Sequence, residues 1–237
     1  MPILKNANDG KQLEKIFDGI IYRRYPVKTK VINYKDDLLK ILENETNNFL
    51  EDGDVILIAE SVVSISEGRA FKFSEIKYGK LAKFLSQFVT KTPAGIGLGT
   101  PQTMQLAINE IGYLRILFAF FISAITKPFG LKGMFYRIAG EKVRGIDGPT
   151  SSTIPPYNEY ASLIPKKPKE FVKKAELYFK NKKNLNLEFI IIDANDIGVN
   201  ILGARNKKEK ILGEFLASDN PLGQSDQSTP FLICKQS

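Results

Sequence analysis

The chain contains no histidine. That absence removes the Ser-His-Asp triad, the Cys-His pair and every histidine-ligated zinc site from its chemistry. Catalysis must rest on carboxylates, Lys, Arg, hydroxyls, backbone amides or a metal held by oxygen. An oxygen-rich site suits Mg2+ or Mn2+, and these ions in turn suit phosphates. There is a single cysteine, Cys234, so no internal disulfide can form, which fits a reducing cytoplasm. Cys234 follows Phe231-Leu232-Ile233 and reads as a small buried residue rather than a nucleophile. No apolar run approaches the ~20 residues that a membrane-spanning helix needs. The most hydrophobic stretch, Ile116 to Ile125, reads as a buried helix, with an interfacial membrane contact as the alternative. Met1–Asn6 lacks the apolar core of a signal peptide. The expectation is a cytoplasmic protein with no membrane span.

What is present narrows this further. A length of 237 residues allows one large domain or two small ones, and 43% hydrophobic content supports a core without metal or disulfide staples. The net charge of +8 has two readings: a nucleic-acid or membrane-surface binder, or a protein whose small substrates carry phosphate or carboxylate. The basic runs Lys166–Lys183 and Lys207–Lys210 read as solvated faces. They lack aromatics interleaved for base stacking, so no nucleic-acid partner is expected.

The hydrophobic pattern predicts an amphipathic helix over Asp36–Leu50, ended by the Glu51-Asp52-Gly53-Asp54 turn. Val55–Ala59 follows as an all-apolar strand buried on both faces, with Val62-Val63 as a possible extension. Tyr78–Val89 is a second amphipathic helix. A glycine-rich turn, Gly95–Gly99, precedes a long helix from Thr103 to Ile125 with Gly112 as its weak point. Phe135–Ala139 is a short strand candidate. Lys169–Lys182 is a basic helix, Leu187–Ile192 a strong strand ending at Asp193, and Val199–Leu202 and Phe231–Cys234 are shorter strands. The fold class is α+β, with mixed sheets, interleaved helices and no clean βαβ repeat.

Few motifs carry chemistry. The Gly95–Gly99 turn is neither GxxxxGK[ST] nor GxGxxG, and reads as a connection before a helix. Asp193 stands at the end of Phe189-Ile190-Ile191-Ile192, where ligands gather in open sheets, with Asn195 and Asp196 adding oxygens. The same pattern serves a helix cap or an Asx turn equally well. Asp147 lies between glycines in Gly145-Ile146-Asp147-Gly148, a turn that also permits close approach to a ligand. The oxygen-rich stretch Asp219–Pro230 returns to the apolar Phe231–Cys234, which argues that this loop is held.

Four segments, in this order, resemble the coenzyme F-420-0:L-glutamate ligase family. Asp52-Gly53-Asp54-Val55 through Val63-Ser64-Ile65-Ser66-Glu67-Gly68-Arg69 is similar to "DGDVLVV…VSKAEGR". Gly145-Ile146-Asp147 is similar to "AGID", Ile191-Ile192-Asp193-Ala194-Asn195 to "ITDTNG", and Leu222-Gly223-Gln224-Ser225-Asp226 with Pro230 to "MGEGDEGIP". Together they run from about position 52 to the end of the chain.

The resemblance implies a single ligase-like unit over 1–237, with two subdomains as the variant and a boundary near the 145–165 loop. It implies a gamma-glutamyl-ligase-like α+β fold and an intertwined homodimer. It also implies a GTP-dependent (or ATP-dependent) enzyme using Mg2+ or Mn2+ that joins L-glutamate to a small-molecule carboxylate through an acyl phosphate. Carried over by position, Asp147 and Asp193 are the catalytic and metal-binding acids, and Gln224 is a further metal ligand. Ser64, Glu67, Gly68, Arg69 and Asn195 line the nucleotide site. The chain departs from the pattern where the family lysine of "SKAEGR" is Ile65, where the following threonine of "TDTNG" is Ala194, and where the family's downstream arginine is missing, with Ile197 close to its place. Loss of those groups defines the alternative: a non-catalytic relative that binds nucleotide or an acidic small molecule.

Overall fold

The computed structural model describes residues 3–89, 97–131, 133–195, 198–223 and 227–237. The chain divides into two units: Met1–Gly68 with Pro165–Ser237, and Arg69–Ile164. The second is thus inserted into the first.

The first unit is built on a six-stranded mixed sheet. Its first part contributes β1 (Glu14–Phe17), β2 (Ile20–Val27), α1 (Leu38–Thr46), β3 (Val55–Ala59) and α2 (Glu60–Ser66). The second unit contributes β4 (Ala70–Lys72), α3 (Lys80–Ser86), α4 (Pro101–Ile111), α5 (Tyr113–Thr126), α6 (Met134–Ala139), α7 (Glu141–Arg144) and β5 (Tyr160–Ser162). The first unit then resumes with α8 (Pro168–Lys183), β6 (Glu188–Ala194), β7 (Val199–Gly203), α9 (Lys207–Leu216) and β8 (Phe231–Gln236). The large sheet has the order β1-β2-β8-β3-β6-β7, and only β3 and β6 pair in parallel.

The apolar runs decide the centre of that sheet. Val55, Ile56, Leu57 and Ile58 of β3 are fully buried, as are Phe189, Ile190 and Ile191 of β6 and Phe231 to Cys234 of β8. Each such side chain contributes about 1.5–3 kcal/mol of burial. Alternate residues face opposite ways. Val55, Leu57, Ile190, Ile192, Leu232 and Cys234 share a cluster with Leu212 and Leu216 of α9. From the other face Phe189 stacks on Phe179 of α8, with ring centroids 5.6 Å apart. The helices are set by their ends. Asp37 caps α1, Pro168 opens α8 and Asn184 closes it in the left-handed region. Asn206 caps α9, while Glu209 returns its carboxylate to the Arg205 and Asn206 donors.

The second unit is mainly helical around its own core of Ala82, Leu85, Met104, Ala107, Ile108, Ile116 and Ile146. Thr100 and Pro101 start α4. Gly112, at φ +81°, ends it, and α5 leaves at a bend of 116°. The long helix expected over Thr103–Ile125 is therefore two. The expected strand at Phe135–Ala139 is helix α6, and Val62-Val63 belong to α2 rather than to β3. The reading of Ile116–Ile125 as a buried helix is also overturned. Ile116 and Ala119 are buried, but Leu117, Phe118, Phe121 and Ile125 are exposed.

Candidate active site

Three chain segments of the first unit converge on one edge of its sheet. Because β3 and β6 are parallel and pair Ala59 with Ile192, their C-terminal ends lie together. Glu60, the next residue of one chain segment, starts α2 there, while Asp193, the next residue of the other, continues β6 beyond its last β3 partner. The antiparallel β8 begins there, and the Ala59 N–H donates to the Pro230 carbonyl at 2.9 Å. This is the end of an open sheet at which ligands gather.

Asp193 is half-buried and pairs with Asn200 across the β6–β7 ladder. Burial alone pushes its carboxyl above the ordinary aspartate value, because a desolvated carboxylate is disfavoured. Among the described residues no Lys or Arg forms an ion pair with it. Asn195 shapes the turn just beyond: its N–H donates to the Gly198 carbonyl and its side chain accepts from the Gly198 N–H at 3.1 Å.

Glu60 is a buried carboxylate that sequence reasoning passed over. The signal that singles out Asp193, an acid directly after an all-apolar strand, is present there too: Val55–Ala59 runs straight into Glu60. Ser64, four residues on, is fully buried and donates its hydroxyl to Glu60 Oε1 at 2.8 Å. That bond fixes the Glu60 carboxylate in place. Ile65, where the resembling segment carries a lysine, is buried in the same helix.

The rest of the Ser64–Arg69 segment leads out of the first unit. Glu67 is exposed and accepts from the Lys166 N–H at 2.7 Å. Gly68 sits at φ +71°, and a Cβ there would lie 2.7 Å from the Tyr34 ring, so no other residue fits without displacing that ring. Arg69 belongs to the second unit, where it donates to the Ile164 carbonyl at 2.6 Å and pairs with Glu110 at 3.0 Å. Asp147 also belongs to the second unit. It is exposed, and its backbone exchanges both hydrogen bonds with Ser162 at 3.0 and 2.9 Å. Packing sets that turn: a Cβ on Gly145 would fall 2.2 Å from Ile164 Cγ2.

Gln224 lies outside the described residues, as do Asp196 and Ile197. The flanks of its loop are pinned. Asn8 donates to the Pro221 carbonyl at 2.8 Å and to Thr229 Oγ1 at 2.9 Å, and Thr229 donates to the Leu222 carbonyl. The expectation of a held loop holds for these residues.

A divalent cation finds suitable chemistry at this edge. The donors are oxygens, and Asp193 is a desolvated carboxylate whose charge nothing described neutralises. Among the described residues no group of three or more His, Cys, Asp and Glu side chains is arranged to hold a metal.

Comparison with known proteins bears on the same segments. An uncharacterized protein of Methanocaldococcus jannaschii is 28% identical over 185 residues, which cover 73% of this chain and 57% of that protein. The chain therefore spans just over half the length of that relative. Residues 26–200 match the F420-0:Gamma-glutamyl ligase family, a range that takes in Glu60, the Ser64–Arg69 segment, Asp147 and Asp193. With most of its length matched, including the acid-bearing strand ends, the chain belongs to the F420-0:Gamma-glutamyl ligase family.

Proposed function

We propose that this chain is a nucleotide- and divalent-metal-dependent amide ligase that joins L-glutamate, or a similar amine, to a small-molecule carboxylate. GTP is the co-substrate in this reading, with ATP as the alternative, and the working form is a homodimer. Family membership supports ligase chemistry in general. The observation that carries the metal and nucleotide part is Asp193: a half-buried carboxylate at the C-terminal end of a central strand, unpaired by any described cation, beside the buried Glu60.

In this mechanism Asp193 would hold Mg2+ or Mn2+, and the resemblance adds Asp147 and Gln224 as the family's further ligands. When bound, the ion supplies the positive charge that offsets a nucleotide's phosphates. The bond from the terminal phosphorus to the nucleoside diphosphate breaks as the acceptor carboxylate forms an acyl phosphate. The glutamate amine then attacks the acyl carbon, a C–N bond forms, phosphate leaves and the amine proton passes to solvent. The protein's part is mostly positioning. Ser64 immobilises Glu60 from inside α2, Gly68 lets the backbone turn past Tyr34, and Asn195 holds the turn behind Asp193. Glu67 and Arg69 are the polar members facing the nucleotide in this reading.

A second reading has its own observation. Ile65 replaces the family's lysine and is buried, so that position offers no cation to phosphate. It describes a non-catalytic relative that binds nucleotide or an acidic small molecule. Thermal unfolding with Mg2+ or Mn2+ alone, then with GTP or ATP, tests nucleotide and metal binding. Expected is a rise of several degrees that requires both metal and one nucleotide. No rise with either nucleotide in either metal would defeat the ligase reading and leave the non-catalytic one, with an acidic small molecule as its ligand. Amide formation with any acceptor carboxylate would choose the first.

A further inference from the structure

Charge is distributed unevenly between the two units. The inserted unit, Arg69–Ile164, holds 12 Lys and Arg against 5 Asp and Glu, so it carries +7 of the chain's +8. From Ile111 to Gly140 there is no acidic residue at all, while Arg115, Lys127, Lys132 and Arg137 fall in that stretch.

The same stretch bears the most exposed apolar surface of the unit. Helix α5 turns Ile116 and Ala119 inward and leaves Leu114, Leu117, Phe118, Phe121 and Ile125 in solvent. These positions recur at three- and four-residue intervals and form one stripe. Leu114 is 86% exposed, and Phe129, just past the helix, is 79% exposed. A helix that is apolar on every side is normally buried in a core or in lipid. This one is buried on one side only. The patch continues onto the turn after α3, where the exposed Phe88 meets Phe120 edge-on at 5.4 Å.

We infer that the α5 face of the inserted unit is a docking surface for an anionic lipid bilayer, on which the protein rests peripherally. A cationic rim around an exposed aromatic and aliphatic stripe is the pattern of interfacial helices. The apolar face enters the headgroup boundary and the basic residues meet anionic headgroups. Spanning is excluded for α5, because 14 residues rise only about 21 Å, less than the ~30 Å of bilayer hydrocarbon. No single helix among the described residues is long and apolar enough to cross a membrane. A second copy of this chain is disfavoured at the same face, since +7 would be brought against +7. A nucleic acid would match the charge but would leave the apolar stripe uncovered.

Flotation of the full chain with vesicles tests this inference independently of any ligase activity. The probes are phosphatidylcholine alone and phosphatidylcholine mixed with phosphatidylglycerol. Expected is co-flotation with the anionic vesicles, little with the neutral ones, and release by salt. Phe118→Asp with Phe121→Asp should cut partitioning more than tenfold. Lys127→Gln and Arg137→Gln should each cost roughly fivefold. Leu114→Ser, at a site with almost no packing to lose, repeats the apolar test should the double variant fail to fold. No flotation with anionic vesicles at low salt overturns the proposal. So does binding that the Phe118 and Phe121 changes leave intact. A dimer in sedimentation that Phe118→Asp converts to monomer would assign the face to a second copy instead.

Discussion

Asp193→Asn separates the functional reading of this residue from a structural one. In the native chain the carboxyl is held above its ordinary range by burial, with no described cation in compensation. A raised acid binds its proton more tightly folded than unfolded. Its contribution is therefore neutral at low pH and becomes a cost as pH climbs through the unfolded value of about 4 toward the folded one. Asparagine keeps the shape and removes the charge. Without metal the variant should equal the native chain near pH 3 and exceed it at pH 7, by on the order of 1 kcal/mol for one unpaired charge relieved at a half-buried site. With metal and nucleotide the order inverts. A ligand at a hundred times its dissociation constant stabilises by about 2.7 kcal/mol, roughly 5–11 °C for a chain of this size, and the variant should lose that gain. The assay is a pH series of thermal melts with and without Mn2+ and GTP. If the variant melts with the native chain at every pH and gains as much from metal and nucleotide, Asp193 is neither strained nor a ligand, and the reasoning fails.

Other consequences follow from the same structure. Arg24 is 1% exposed and bonds Asp219 at 2.6 and 2.7 Å, while Lys15 meets the same carboxylate at 3.0 Å. Removing Asp219 with Asp219→Ala leaves a buried guanidinium unpaired. It should cost about 3–5 kcal/mol in denaturant unfolding, or roughly 6–20 °C. Burial opposes the Asp219 charge, but the Arg24, Gln12 and Lys15 donors outweigh it and hold the carboxyl well below the usual range. Its stabilisation is thus complete above about pH 4 and drains away as acid protonates it, which a pH series of native and Asp219→Ala melts would show as a closing gap. Gly145→Ala drives a methyl onto Ile164 Cγ2 and should destabilise by about 1–3 kcal/mol; protease susceptibility within Arg69–Ile164 reports it. Cys234 is fully buried and its thiol is pushed up to about 12, so Ellman's reagent should leave it untouched until denaturant opens the sheet.

Legibility in the sequence followed how locally each element is encoded. Strands β3, β6 and β8 read directly, since runs such as Phe189-Ile190-Ile191-Ile192 are too apolar to face water on either side. Strand β2 did not, because Arg23 and Arg24 sit in its middle. Arg24 is tolerated because Asp219, 195 residues away, and the Leu216 and Gln12 carbonyls meet it, and no local pattern reveals that. The branched pair Val62-Val63 looks like strand, yet the Ser64–Glu60 bond and the buried Val63 make it helix. Phe135–Ala139 is short enough that its apolar content suits either periodicity. Helix α9 was read as no more than a basic run, because Lys207, Lys208 and Lys210 mask the buried Leu212 and Leu216. At the site, Asp193 was legible and Glu60 was not. The two share one signal, but the parallel pairing that joins them spans more than a hundred residues of chain.

That pairing also explains why Asp193 stands apart from the other buried carboxylates of its unit. Asp54 is likewise pushed up by burial, but Lys235 meets it at 3.2 Å and the Glu51 N–H donates to it. Glu176 and Glu188 are pushed up too, each with Arg205 acting against the burial, and their surroundings mix acids with Lys and Arg. In those cases the fold supplies charge to offset the desolvation it imposes. At Asp193 burial acts alone. A fold gains nothing by burying a carboxylate without a counter-charge, and Asn would fill the same space at lower cost. In the proposed function that counter-charge would come from a bound cation. Glu60, held by Ser64, is the other acid that follows a buried strand at these paired strand ends.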